Sequence, residues 1–91
     1  MADKIHCAHI LVKTEQEANS MIDQLNKGVR FSKIAMEKSL CPSGKRGGDL
    51  GTFGRGQMVR EFERAAFALQ KGQISQPVKT EFGWHLIKRL E

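Results

Sequence analysis

The chain has 91 residues, 40% hydrophobic and 27% charged, which fits one small globular domain over 1–91 with a modest core. Fifteen Lys and Arg against ten Asp and Glu leave a formal charge of +5, but the basic residues are scattered from Lys4 to Arg89 with no run of five and no interleaved stacking aromatics, which argues against nucleic acid as the partner. No stretch approaches the ~18 apolar residues of a membrane span and the N-terminus has no leader pattern, so a soluble, cytoplasmic monomer with no membrane partner is expected.

In chain order, Ile5 to Val12 is an apolar run of strand length. Alternation puts Ile5, Cys7, His9 and Leu11 on one face and His6, Ala8, Ile10 and Val12 on the other. Thr14-Glu-Gln-Glu17 has the capping-box spacing, in which hydroxyl and carboxylate each satisfy a free helix-end amide. Ala18, Met21, Ile22 and Leu25 follow at helical spacing, and Gly28 stops that helix. Phe31, Ile34 and Ala35 predict a second, shorter helix ending near Ser39, closed by Cys41-Pro42-Ser43-Gly44.

The stretch from 44 to 58 holds six of the nine glycines and leads into a short strand, Leu50 to Phe53. It matches neither the Walker spacing nor a strand-to-helix dinucleotide fingerprint, so a phosphate loop is excluded. Its apolar Leu50, Phe53 and Met58 argue against a linker. Phe62, Ala65, Ala66 and Leu69 predict a third helix ending at Gly72. Ile74 to Val78, interrupted by Pro77, reads as an edge strand, because proline cannot donate to a central ladder. After a turn at Glu81-Phe82-Gly83, Trp84 to Leu90 alternates as a closing strand, His85, Ile87 and Arg89 on one side, Trp84, Leu86 and Leu90 on the other. The order β-α-α-β-α-β-β is that of an α+β domain with a mainly antiparallel sheet.

The candidates for chemistry are His9 and His85, one in each terminal strand, and Cys41 before the glycine stretch. Strand histidines among apolar neighbours are core residues more often than catalysts, but first and last strands that pair at a sheet centre would bring these two together. Cys41 reads either as a small buried hydrophobe or as a nucleophile or polar group facing a ligand. Two cysteines without paired spacing form neither a zinc site nor a disulfide framework, so both are expected to be reduced, with no metal or cofactor.

The motifs HILV at 9–12, CPSGKRGGDLG at 41–51, GQM at 56–58, Phe62-Glu63, Ala66-Phe67 and FGWHLIK at 82–88 run in one order from about Lys4 to Leu90, and together they resemble the parvulins, a family of small prolyl cis/trans isomerases. The resemblance implies a β-α3-β-α-β2 fold around a four-stranded sheet, with an additional helical turn in Pro42 to Lys45. It also implies roles. His9 and His85 would be paired under the active site, Cys41 the polar residue above them, and Thr80 the hydroxyl completing the network. Leu50, Met58 and Phe62 would receive the proline ring, with Phe82 at the rim and Gln57 beside the substrate backbone. Gly47, Gly48 and Gly51 would permit close backbone approach. The implied partners are proline-containing peptides and folding or unfolded proteins.

With Met58 and Phe62 facing substrate, alanine at either is expected to weaken binding more than stability. Lys13 is followed at once by Thr14, Glu15, Gln16 and Glu17, so the phosphate clamp of phospho-specific relatives is absent, and Glu61 stands where many relatives have proline. Two other functions fit parts of the pattern: a non-catalytic module that holds proline-containing or unfolded chains, and a Cys–His hydrolase, which would need a thiolate beside a base and an oxyanion hole.

Overall fold

The computed structural model describes residues 4–91; the opening Met-Ala-Asp, part of the leader reading, lies outside the described residues. The elements are β1 (Lys4–Val12), α1 (Glu15–Asn26), α2 (Phe31–Lys38), a 3₁₀ turn (Pro42–Arg46), β2 (Asp49–Gly54), α3 (Arg60–Ala68), β3 (Val78–Thr80) and β4 (Gly83–Arg89). They form one four-stranded sheet in the order β2-β1-β4-β3, with every pairing antiparallel.

β1 is nearly continuous in apolar residues because both its faces are covered. Ala8, Ile10 and Val12 pack with Leu86 against α1 and α2, through Ala18, Met21, Phe31, Ile34 and Ala35. Ile5 and Cys7 pack on the opposite face with Phe53 and Ile87 against Phe62 and Ala66 of α3. The alternation of β1 and β4 therefore sorts their side chains into two cores, as the sequence pattern predicts. Cys7 lies deep in the second core, where burial raises its thiol pKa to about 11 against a lowering by Arg89, and keeps it inert.

Thr14 caps α1 as expected, its Oγ1 accepting the Glu17 N–H at 3.1 Å. The Glu17 carboxylate, however, accepts the Thr14 hydroxyl at 3.0 Å in place of a backbone amide. The 3₁₀ turn falls where the family resemblance puts it, with Pro42 supplying the fixed φ of its first position.

Two boundaries differ from the sequence reading. α3 ends at Ala68, short of Gly72: Leu69 turns extended into the second core, and the Arg89 guanidinium donates to its carbonyl at 2.7 Å. The edge strand lies at Val78–Thr80, beyond Ile74 to Val78 as predicted. Ile74 makes only an isolated bridge to Lys88, and Ser75 anchors its segment with one backbone N–H to Ile87 at 2.8 Å and one hydroxyl accepting the Ile87 N–H at 3.0 Å. Pro77 has no N–H to continue a ladder, so pairing resumes only after it.

Candidate active site

The register of the two central strands builds the floor of the site. His9 lies opposite Ile87 and His85 opposite Leu11, so the two histidines are diagonal neighbours on the α3 face. Their rings stack at 5.2 Å and 19°, with Nδ1 to Nδ1 at 3.0 Å. His85 Nε2 meets Thr80 Oγ1 at 2.7 Å, and that hydroxyl oxygen accepts the Phe82 N–H at 3.2 Å. Phe62 stands edge-on to both imidazoles at 5.5 and 5.4 Å.

This enclosure keeps the pair neutral. Burial, and then the neighbouring His85, lowers the His9 pKa to about 4; burial lowers that of His85 as well. With both rings neutral, one Nδ1 donates and the other accepts, and His9 Nε2 remains buried without a hydrogen-bond partner. The third histidine, His6, is elsewhere: its Nε2 meets Asp49 Oδ1 at 2.6 Å across the β1–β2 irregularity, and this bond holds the Asp49 carboxyl below its usual pKa.

Above the floor is a cleft of about 550 Å³. It gathers His9, Cys41, Leu50, Gln57, Met58, Phe62, Phe82 and His85, all named from the sequence; Thr80 reaches it only through His85. Leu11, Leu40, Pro42 and Val59 also line it and were not singled out. Leu11 was within reach, since it shares the His9 face of β1; nothing in the sequence marks Leu40.

Local bonds position these parts. Ser39 Oγ accepts the N–H groups of Leu11 at 3.1 Å and Cys41 at 3.3 Å, which fastens the chain leaving α2 to the end of β1. Cys41 Sγ accepts the Ser43 hydroxyl at 3.3 Å and is hydrogen-bonded to neither histidine, so no nucleophile and base are paired. The glycine loop lies directly on β1: His9 N–H donates to the Gly48 carbonyl at 2.9 Å, and a Cβ on Gly48 would run into the His9 carbonyl oxygen. Close approach is why glycine stands there.

Two expected roles change in detail. Phe62 is only 3% exposed and packs with Phe53 and both imidazoles, so it is a core residue as well as a wall, and alanine there would cost stability first. Gln57 is exposed, and its Oε1 is taken up by the Gly54 N–H at 2.6 Å, closing the turn that presents Met58. Among the described residues no three His, Cys, Asp or Glu side chains gather as metal ligands.

Comparison with known proteins adds family to geometry. The rotamase family model, described as the PPIC-type PPIase domain, matches residues 9–91. The foldase protein PrsA of Geobacillus kaustophilus is 54% identical over 86 residues, 93% of this chain and 31% of that protein; the chain spans about a third of the length of the curated relatives it matches. Two small solved structures are covered almost end to end. Pin from the archaeon Cenarcheaum symbiosum is 56% identical with a TM-score of 0.87, over 100% of this chain and 95% of that one. The parvulin NmPin of Nitrosopumilus maritimus is 47% identical with a TM-score of 0.90, over 100% and 99%.

Proposed function

Because the chain belongs to the rotamase family, as a PPIC-type peptidyl-prolyl isomerase or parvulin domain, we propose that it accelerates rotation about Xaa-Pro bonds in peptides and folding proteins, without covalent chemistry and without phosphate specificity. The observation that carries this reading is the largely apolar cleft set directly on a neutral, hydrogen-bonded histidine pair.

The barrier to be lowered is ~18–20 kcal/mol, because rotation breaks amide resonance, while the two isomers differ by only ~0.5–1 kcal/mol. No bond need form. Resonance makes the planar amide strongly polar, and the twisted amide loses that polarity. A largely apolar cleft therefore disfavours the planar forms more than the twisted one, and Leu50, Met58 and Phe62 hold the ring while the carbonyl turns. The Cys41 thiol at the lip adjusts the field at that carbonyl. The His9–His85–Thr80 chain fixes the floor and, being neutral, presents no charge to bind a planar amide tightly.

The whole of the proposal is that residues 1–91 act as one unit, as a monomer in the cytoplasm, on unphosphorylated segments. The lining of the cleft supports the last point, since it contains no Lys or Arg to bind phosphate.

The test is NMR exchange on short Xaa-Pro peptides with folded protein and no additive. Exchange cross-peaks between cis and trans resonances are expected with catalytic protein. Saturable binding without faster exchange would favour the non-catalytic holding module. A mass-detectable adduct on Cys41 during turnover would overturn the non-covalent mechanism.

A further inference from the structure

Leu50 and Phe53 both belong to the α3 side of the sheet, Leu50 in the wall of the cleft and Phe53 in the buried core. In a regular strand two residues three apart point to opposite faces. The register of β2 against β1 accounts for the exception. Ile5 lies opposite Phe53 and His6 opposite Thr52, but Ala8 lies opposite Asp49, so Leu50 and Gly51 together stand across from Cys7. β2 carries one extra residue there, a bulge. An unbroken ladder would set Leu50 opposite Ala8, on the face that packs against α1 and α2; the extra residue turns Leu50 over to the cleft and brings Asp49 to the side of Ala8 and His6. One carboxylate oxygen holds this arrangement. Asp49 Oδ1 accepts the Gly51 N–H at 2.7 Å, closing a turn around Leu50, and meets His6 Nε2 at 2.6 Å, fastening that turn to β1. The His6 bond, and then the Gly51 bond, hold the Asp49 carboxyl below its usual pKa. An ionised carboxylate only accepts, so Nε2 carries the hydrogen and donates it.

We propose that His6, on the far face of the sheet and no part of the cleft lining, is a positioning residue of the isomerase: through Asp49 it locks the bulge that turns Leu50 into the wall holding the prolyl ring. The proposal rests on the isomerase reading above. With the clasp open, the extra residue is free to migrate along β2, and each step of one residue carries a side chain to the wrong face. Leu50 meets the ring and not the rotating carbonyl, so it holds planar and twisted amides alike, and its displacement is read in KM with kcat little changed.

The experiment measures KM and kcat by NMR exchange on one Xaa-Pro peptide, together with the Leu50 methyl resonances of the free protein. His6→Leu and Asp49→Ala are each expected to raise KM by about fivefold, the effect of one modest hydrogen bond, and to shift the Leu50 methyl resonances. His6→Gln, which keeps a side-chain N–H, and Asp49→Asn, which keeps an accepting oxygen, are expected to stay within about twofold of the parent. Adding His6→Leu to Asp49→Ala is expected to leave KM within about twofold of Asp49→Ala alone, because the two residues act through one bond. A smaller folded fraction lowers the apparent kcat and leaves KM unaltered, so a loss of stability does not imitate this result. A parent-like KM or unmoved Leu50 methyl resonances in His6→Leu, or multiplied effects in the double variant, would overturn the positioning role and leave the isomerase standing. No acceleration of the peptide by the folded parent chain would overturn both.

Discussion

Two imidazoles joined Nδ1 to Nδ1 tie the central strands together under the cleft, and their neutrality has a measurable consequence. His9 titrates near 6.5 when unfolded and near 4 when folded, so between these values the unfolded chain takes up a proton that the folded chain refuses. Stability is therefore complete above pH ~6.5 and falls as pH drops towards 4, by on the order of 3 kcal/mol for a shift of this size. His85, lowered by burial, adds to the fall with the same sign. Asp49, also lowered, contributes stability present above its ordinary range and lost only in stronger acid. Urea midpoints from about pH 7.5 to 4.5 check this: His9→Asn is expected to be less stable at the upper end by ~1–3 kcal/mol, with a shallower acid slope. A slope parallel to the parent's would contradict the assignment. The walls of the cleft separate in a second measurement. Met58 is half-buried, so Met58→Ala is expected to raise KM with a small change in melting temperature. Phe62→Ala is expected to destabilise by ~3–5 kcal/mol, the range for a buried aromatic. Equal stability losses in the two would remove the distinction between wall and core.

At the scale of elements, the loop from the 3₁₀ turn into β2 is fitted to β1 through its backbone, and two of its glycines do different work. Gly48 has φ +86 and faces the His9 carbonyl, whereas Gly51 has φ +76 and open space where a Cβ would stand. Gly51→Ala then meets only the left-handed penalty of ~1–2 kcal/mol. Gly48→Ala adds a backbone collision that neither partner can relieve without breaking the 2.9 Å bond between them. Chemical denaturation of both variants is expected to show at least about twice the loss for Gly48→Ala, accompanied by reduced turnover because His9 shifts with the strand. A similar loss for both would mean the loop can lift off β1 freely.

Over the whole molecule, the +5 charge is not built into the lining of the cleft. The cleft has no charged lining, while Arg30, Arg46 and Lys88 border a smaller cleft on the α2 side of the sheet, which also holds Asp49. Screening at high salt shortens the reach of exposed charges to ~3 Å at 1 M, so a reaction that depended on them would slow. For a peptide with acidic flanks, kcat/KM is expected to vary by less than about twofold between low salt and 0.5 M, since no charged side chain lines the cleft. A fall of about tenfold would show that the scattered cations steer substrate to the cleft after all. The same architecture explains how a small sheet can support such a site: α1 and α2 close one face with an ordinary core, and the face under α3 is left to be divided between packing and chemistry.

Sequence by itself determined whatever local rules act on. Alternation told the Cys7 and His9 face from the Ala8 and Ile10 face, Thr14 and Gly28 marked the ends of the first helix, and the close approach of the glycine loop was legible at Gly47 and Gly48 but not at Gly51, which has a left-handed φ and open space in place of a close neighbour. The motifs then named eight residues that line one cleft, plus Thr80 behind it. Tertiary structure decided the rest. The Nδ1 contact joins residues 76 apart, and only the pairing register of β1 with β4 makes them diagonal neighbours. That Phe62 wedges against both rings follows from where α3 lands on the sheet, which its own periodicity does not specify. The edge strand starts past Pro77, which has no N–H for the ladder, while Ser75 fastens the preceding segment to Ile87, and α3 gives way at Leu69, whose carbonyl accepts from Arg89. Leu40 became the mouth of the cleft through one bond to Leu11. Propensity and patterning extend over a few residues, whereas these contacts cross the chain and exist only once the strands have chosen their register.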